Sequence, residues 1–354
     1  MANSEDIIML CGRGDTNDLA QDIIAAVNMR RVGQNELKLA HTDFGWWPDS
    51  EPDFCFDRWE DIQDKHVVLF LSTHKPHLAL ELLILIRAIK KRYGAKSLTV
   101  VQPFMAFRRQ DHPEINEEFD LNLWFIENIK ANGADRMIVC DIHSQRTMTN
   151  CQEVGLEAYH VKPTPLYVAA LKKSIAEAQD AGKLLKILSP DKGSLLRAVA
   201  IAKSLKVPVL LSLKKRKETG NIVTNVEPTP DDLELIARVQ EEYKVQIELI
   251  SEETVRDAYI VMREDELDTG RTATDTCRDL IRAKAFRVEL VVTHMKCSPG
   301  WKRTVGRKRT SPFYRVLAGD TIHRPYEHST GGLVETVSVA NIIAVKLAEI
   351  LEAI

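Results

Sequence analysis

The sequence predicts an α/β protein made of two halves, each a mostly parallel sheet with helices on both faces. Three observations predict it. The strand-like segments are near-continuous apolar runs, the pattern of strands buried on both faces. They alternate with segments of helical apolar spacing along almost the whole chain. At 354 residues the chain also exceeds the roughly 100–200 residues of an ordinary domain, so two domains are expected.

In chain order, His66-Val-Val-Leu-Phe-Leu-Ser72 reads as a buried strand, and Leu78 to Arg92 as a helix with apolar residues at helical spacing. Ser97-Leu-Thr-Val-Val-Gln-Pro103 is the next strand, Leu121 to Ala131 the next helix, and Arg136-Met-Ile-Val-Cys-Asp141 the strand after it. Val161-Lys-Pro-Thr-Pro165 is a plausible linker between the halves. Beyond it, Pro165 to Ala181 reads as helical, Leu184 to Leu188 as extended, Ser194 to Leu205 as helical and Val207 to Leu213 as extended. Asp231 to Val245 looks like an extra charged helix. A strand from Tyr259, a helix and the strand Arg287-Val-Glu-Leu-Val-Val-Thr293 follow. The basic run Lys302, Arg303, Arg307, Lys308 and Arg309 reads more simply as a solvated loop than as an anion site.

In open parallel sheets ligands bind beyond the carboxyl ends of the strands. Those positions carry Arg109, Gln110 and Asp111, then Asp141 and His143, then Asp191, then Lys214 to Lys217. On an extended segment Asp141 and His143 would face one side, where a carboxylate and an imidazole suit a metal or a metal-bound phosphate. Lys214 and Arg216 share a face by the same rule. Taken singly, each has a plainer reading: Asp191 as a helix cap, His143 as a structural histidine, and Lys214 to Lys217 as an exposed loop.

The most informative stretch is Tyr259-Ile-Val-Met-Arg-Glu-Asp-Glu-Leu-Asp-Thr-Gly-Arg-Thr272. An apolar run ends in three acids, and a helical pattern starts at Ala273 and runs to Ala285. The adjacent carboxylates Glu264 and Asp265 can accept hydrogen bonds from two vicinal ribose hydroxyls. The loop Asp268, Thr269, Gly270, Arg271 and Thr272 can offer amides and hydroxyls to a phosphate at a helix N-terminus. An acidic turn with a helix cap would use the same residues.

The rest of the composition mainly excludes. A net charge of −3 gives no whole-chain signal for nucleic acid or membrane. Six scattered cysteines without a CxxC pair argue against a zinc site or a disulfide framework and fit a reducing, cytoplasmic setting. No apolar run approaches the ~20 residues of a membrane span, and the acidic N-terminus lacks a signal-peptide charge pattern.

Taken in order, Arg109-Gln-Asp111, Asp141-Ile-His143, Ser189-Pro-Asp191, Lys214-Lys-Arg216 and Glu264 to Thr272 resemble the ribose-phosphate pyrophosphokinase family. Gly133-Ala-Asp-Arg136, Val291-Val-Thr-His294 and Glu335-Thr-Val-Ser-Val-Ala340 support the resemblance, which runs from about Met9 to Leu351. It implies two tandem phosphoribosyltransferase-like domains: an ATP-side domain over 1–162, with a helix at 338–354 packing back on it, and a ribose 5-phosphate domain over 163–337. It implies transfer of the diphosphoryl group of ATP to the anomeric hydroxyl of ribose 5-phosphate, with AMP leaving. Magnesium is the implied cofactor, and a homo-oligomer (dimer or hexamer) the implied assembly.

By the same resemblance Trp47, Asp49 and Glu51 reach the adenine of ATP across a subunit interface, and Arg109, Gln110 and Asp111 bind ATP. Asp141 and His143 take magnesium and phosphate, Asp191 faces the sugar phosphate, and Lys214 and Arg216 belong to a mobile catalytic loop. Glu264, Asp265 and Asp268 to Thr272 bind ribose 5-phosphate.

The chain departs from the family in several places. Glu264 stands where an aspartate is usual, Arg271 where a glycine is usual, and the acidic His112-Pro-Glu-Ile-Asn-Glu-Glu118 where the family is basic. The segment from Lys214 to Glu264 is longer than usual by about one helix, and no clear match to the family's allosteric ADP site is present. A non-catalytic regulatory paralogue and a phosphoribosyltransferase are the competing readings. Retention of His143, Lys214 and Arg216 speaks against the first. The Arg-Gln-Asp segment and a full second domain speak against the second.

Overall fold

Two all-parallel sheets organise the chain, as the buried apolar strands require. The structure, a computed structural model, describes residues 7–12, 17–31, 37, 39–41, 43–49, 51–56, 61–111, 119–213, 227–322 and 326–354. The chain divides into one unit of residues 1–162, 321–324 and 338–354 and a second of residues 163–320 and 325–337.

The first unit begins with β1 (Ile7–Cys11), α1 (Asn17–Arg30), β2 (Leu39–His41), and the antiparallel hairpin β3 (Asp43–Trp46) and β4 (Pro52–Cys55). It continues through β5 (His66–Phe70), α2 (Pro76–Arg87), β6 (Ser97–Gln102), α3 (Leu121–Asn132), β7 (Arg136–Cys140), α4 (Arg146–Glu153) and β8 (Glu157–Val161). Its sheet has the order β2-β1-β5-β6-β7-β8.

The second unit contains α5 (Thr164–Ala170), α6 (Lys172–Asp180), β9 (Leu185–Ser189), α7 (Leu195–Leu205), β10 (Val209–Leu211), α8 (Pro230–Tyr243), β11 (Ile247–Leu249) and α9 (Glu252–Val255). It continues with β12 (Tyr259–Leu267), α10 (Arg271–Arg282), β13 (Arg287–Met295), α11 (Trp301–Val305), β14 (Arg315–Gly319), α12 (Tyr326–Thr330) and β15 (Val334–Val337). Its order is β11-β10-β9-β12-β13-β14-β15. A final helix, α13 (Ala340–Glu352), packs on α1, β7 and β8 of the first unit.

Burial drives both sheets. All five residues of β5 are buried, as are all five of β9. On α2 the apolar positions Leu78, Ala79, Leu82, Leu85 and Ile86 form one buried face. Fully burying each leucine or isoleucine contributes roughly 1.5–3 kcal/mol. Parallel neighbours need crossover connections. Thus α7 joins β9 to β10, α10 joins β12 to β13, and α8 carries the chain from β10 to the edge strand β11. The second core also holds a charged pair. Glu289, fully buried, accepts from Tyr259 Oη (2.6 Å), Ser174 Oγ (2.8 Å) and Arg315 Nη2 (3.2 Å). A buried carboxylate persists only with such partners.

Several expectations change. Pro165 to Ala181 is two helices, because the chain breaks at buried Leu171, which caps α5 and starts α6. The helix from Leu78 widens at its end, where Ala88–Arg92 forms a π-helical turn. The basic run is not wholly a loop. Lys302 and Arg303 lie on α11, anchored by buried Trp301 and Val305, although both basic side chains are exposed. The acids after Met262 are not a turn. β12 continues through Leu267 because its backbone pairs with β13 as far as Leu267↔Met295. α10 then begins at Arg271, two residues before the expected start.

Candidate functional site

In the first unit three adjacent strands, β5, β6 and β7, end beside one another, and their extensions are woven together. After β5, Thr73 Oγ1 donates to Gln102 Oε1 at 3.0 Å and accepts from Ala106 N at 2.8 Å. Ser72 Oγ accepts from Phe104 N at 3.2 Å. After β6 the chain turns through Phe107, which takes a left-handed φ of 56°. This turn buries Arg108 and leaves Arg109 and Gln110 exposed. Asp111 is buried and accepts from Ser144 Oγ at 2.5 Å. Arg108 Nη2 donates to the carbonyl of Asp141 at 2.5 Å.

Asp141 corrects the expectation of an extended Asp141–His143 segment. β7 stops at Cys140, and Asp141 has φ 43°, a left-handed conformation that few residues other than glycine adopt. Two-residue alternation therefore does not set the relation of Asp141 to His143. Asp141 is buried and His143 half-buried, on the same short turn that leads into α4. Arg108 and Ser144, which tie the two strand ends together, were missed by sequence reasoning. Their only signal was position, each being next to a residue singled out.

The hairpin β3–β4 carries Trp47, Asp49 and Glu51 at its tip. Trp47 N donates to Glu51 O at 2.8 Å, and Glu51 N to Asp49 Oδ1 at 3.1 Å. All three side chains are exposed, Trp47 at 57%.

In the second unit β9 ends at Ser189, and Asp191 caps the 3-10 turn Lys192–Ser194 that opens α7. Asp191 Oδ1 accepts from Ser194 N and from Ser194 Oγ, each at 2.9 Å. Asp191 is thus a helix cap, and its carboxylate lies at the carboxyl edge of the sheet. Lys192 Nζ donates to Asp232 Oδ1 at 2.5 Å, which with Thr229 holds the Asp232 carboxyl down at about 2.

The acidic strand end lies next along the sheet. Glu264 and Asp265 are buried, at 6% and 2% exposure, while Glu266 is half-buried. Arg197, on α7, approaches Asp265 at 3.9 Å, and this neighbour too was missed from sequence. Buried Arg263 donates to the carbonyl of Glu264 and to Thr293 Oγ1 (3.0 Å), and it stacks on Tyr167. The turn follows. Asp268 Oδ1 accepts from Ser298 N at 3.3 Å, Thr269 is exposed, and Gly270 takes φ 74° as the N-cap of α10. A Cβ on Gly270 would stand 2.6 Å from Val305 Cγ2, so this turn needs glycine both for its conformation and for space. Arg271 and Thr272 are exposed on the first turn of α10. One turn further, burial pushes the Cys277 thiol up to about 12, so it is no nucleophile at neutral pH.

Each sheet thus presents a polar carboxyl edge. The first groups Arg109, Gln110 and Asp111 with Asp141 and His143. The second groups Asp191 with Glu264, Asp265 and the turn Asp268 to Thr272. Lys214 and Arg216, and the acidic stretch 112–118, lie outside the described residues. Among the described residues no group of three or more His, Cys, Asp and Glu side chains is arranged to hold a metal ion. No helix among them is long and apolar enough to cross a membrane.

Comparison with known proteins covers both units. A family model described as the N-terminal domain of ribose phosphate pyrophosphokinase matches residues 8–138, and one described as the phosphoribosyl transferase domain matches residues 160–317. The ribose-phosphate pyrophosphokinase of Mycoplasma pneumoniae is 28% identical over 260 residues, which is 72% of this chain and 67% of that protein. Ribose-phosphate pyrophosphokinase 1 of Lactococcus lactis is 24% identical over 310 residues, 87% of this chain and 84% of that one. The fold matches the crystal structure of phosphoribosylpyrophosphate synthetase from Mycobacterium smegmatis with a TM-score of 0.74 at 19% identity, over 98% of this chain and 99% of that chain.

Proposed function

We infer the reaction from one premise: the chain belongs to the ribose-phosphate pyrophosphokinase family, as two tandem phosphoribosyltransferase-like domains. It transfers the diphosphoryl group of ATP to the anomeric hydroxyl of ribose 5-phosphate, releasing AMP.

The observation that carries the reading is the end of β12. Two buried acidic residues, Glu264 and Asp265, precede a left-handed Gly270 and the exposed start of α10. Carboxylates in that position suit the vicinal hydroxyls of a ribose. The turn amides at the positive end of a helix suit its 5-phosphate. Asp191, one strand over, faces the same edge of the sheet.

The residue roles are our proposal. Glu264 and Asp265 hold the ribose and so present the anomeric oxygen. Asp268, Thr269, Gly270, Arg271 and Thr272 take the 5-phosphate. Trp47, Asp49 and Glu51 receive the adenine of an ATP, in a homo-oligomer, across a subunit interface. Arg109, Gln110 and Asp111 orient its phosphates, Arg109 through its exposed guanidinium and Asp111 by fixing the turn through Ser144. Lys214 and Arg216 neutralise the transferring phosphates. Phosphoryl transfer asks the protein mainly for alignment and charge neutralisation, which these residue types supply.

Magnesium fits the donor set at the β7 end. Asp141 has a buried carboxylate, the oxygen donor that magnesium prefers, and His143, half-buried on the same turn, would meet the metal-bound phosphate. When bound there magnesium would neutralise phosphate charge. The test is direct: incubate the chain with ATP, magnesium and ribose 5-phosphate and measure AMP. Stoichiometric AMP and phosphoribosyl pyrophosphate are expected. No AMP across a range of phosphate and metal concentrations would sink the reading in favour of a non-catalytic paralogue.

A further inference from the structure

Helix α8 is fastened at its start to Lys192, the residue after Asp191, and at its end to α7, the helix that the Asp191 turn opens. At its start, Asp232 uses both carboxylate oxygens. Oδ1 accepts from Lys192 Nζ at 2.5 Å, and Oδ2 closes the helix cap by accepting from Thr229 N at 2.9 Å and Thr229 Oγ1 at 2.7 Å. The Asp232 side chain is 7% exposed, that of Lys192 46%. At the other end, the Tyr243 ring lies 5.6 Å from Lys203 Nζ on α7. Between them, Val239 is buried in the same apolar cluster as Val199 and Ala202 of α7. Lys192 directly follows Asp191, whose own carboxylate shapes the turn through Ser194. A displacement of the first turn of α8 is therefore passed through one side chain to the backbone beside Asp191.

We propose that the Lys192–Asp232 ion pair is a positioning contact for the sugar-phosphate site: α8, through Lys192, holds the Asp191 turn in the arrangement that receives ribose 5-phosphate. This rests on the ribose 5-phosphate reading of that turn. A pair with one half-exposed partner adds little to global stability, so its effect is local. The alternative role for Lys192, a direct cation for the sugar phosphate, makes a different prediction. Freeing the ammonium from Asp232 would then maintain or improve binding, whereas under the positioning role it weakens it.

Steady-state kinetics of the full chain separate the two, using Lys192→Ala, Lys192→Arg, Asp232→Asn and the Lys192→Ala/Asp232→Asn double variant. Each alanine or asparagine variant should raise KM for ribose 5-phosphate about three- to fivefold, the scale of one partly exposed ion pair. KM for ATP and kcat should stay within about twofold, on the same scale. The double variant should be no worse than either single one, since both remove the same contact, and Lys192→Arg should recover most of the affinity. An unchanged KM for ribose 5-phosphate overturns the proposal. So does an effect of Lys192→Ala without one of Asp232→Asn, additivity in the double variant, or an equal rise in KM for ATP. A wild-type chain that releases no AMP defeats the proposed function and this inference with it. An active wild type with unaffected variants defeats the inference alone.

Discussion

Arg108 donates from Nη2 to the carbonyl oxygen of Asp141 at 2.5 Å, and this bond joins the turn after β6 to the turn after β7. A buried guanidinium thus locks the backbone of a residue held at positive φ. Arg108→Lys removes the planar fork. A hydrogen bond from a charged group is worth about 1.5–3 kcal/mol, and urea titration should show a loss of that size. KM for ATP should rise more than KM for ribose 5-phosphate, because only the first unit is disturbed. Equal rises in both would detach Arg108 from the ATP side.

Lys214→Ala is expected to lower kcat by about two to three orders of magnitude, the cost of removing one charge-stabilising group from a transition state. The thermal midpoint is expected to stay within about 2 °C of wild type, as for a substitution that acts on turnover and not on folding. An unchanged turnover removes Lys214 from the mechanism.

Arg271 puts a cation at the first residue of α10, where the helix dipole disfavours it by about 0.3–1 kcal/mol. Arg271→Gln should therefore raise the thermal midpoint by about 1–3 °C. If the guanidinium meets the 5-phosphate, the same variant should raise KM for ribose 5-phosphate about five- to tenfold, and the wild-type KM should be the more salt-sensitive of the two. A lower KM in the variant would mean that the side chain crowds the phosphate instead.

Gly270→Ala meets two obstacles, a φ of 74° and Val305 Cγ2 at 2.6 Å from the new Cβ. Denaturation should show a loss of about 1–3 kcal/mol. Ribose 5-phosphate affinity should fall further than stability alone explains, since the turn itself must shift. Calorimetric titration against wild type checks this.

The Asp232 carboxyl titrates at about 2, below its ordinary 3.8, through Lys192 and Thr229. A lowered folded pKa stabilises above the unfolded value and stops doing so as pH falls through the folded one. Wild type should therefore lose an increment of stability between about pH 4 and pH 2 that Asp232→Asn never had. Parallel stability–pH curves across that window would show that the ion pair does not form in solution.

The strands His66–Phe70, Ser97–Gln102, Leu185–Ser189 and Arg287–Met295 were legible because they are buried apolar runs. The edge strand β8 was not. Of Glu157 to Val161 only Val161 is buried, so hydrophobicity marks nothing there. β11 covers only three residues, too short for a periodic signal, whereas the equally short β10 lies inside the apolar Val207 to Leu213 that read as extended. The end of β12 misled for a different reason. Charges usually mark a turn, but Glu264 and Glu266 sit on ladder positions paired with Val292 and His294 of β13, and Asp265 lies between them on the same strand. In the site, the identities of the ligand-type residues were visible, but their partners were not. Ser144, Arg108, Arg197 and Asp232 act across distances in sequence that no local pattern records. The left-handed Asp141 was invisible as well, since nothing in Cys-Asp-Ile-His announces a positive φ.

The packing of α13 on α1, β7 and β8 has a consequence for biosynthesis. A ribosome emits the whole second unit before it emits the helix that covers one face of the first. Domains generally fold as units, N-terminal first, during synthesis. Here the N-terminal sheet must wait, with the faces of α1 and β7 that α13 will bury still wet, while the later-made unit can close. Premature termination anywhere before Ala340 would therefore injure the part of the protein made earliest.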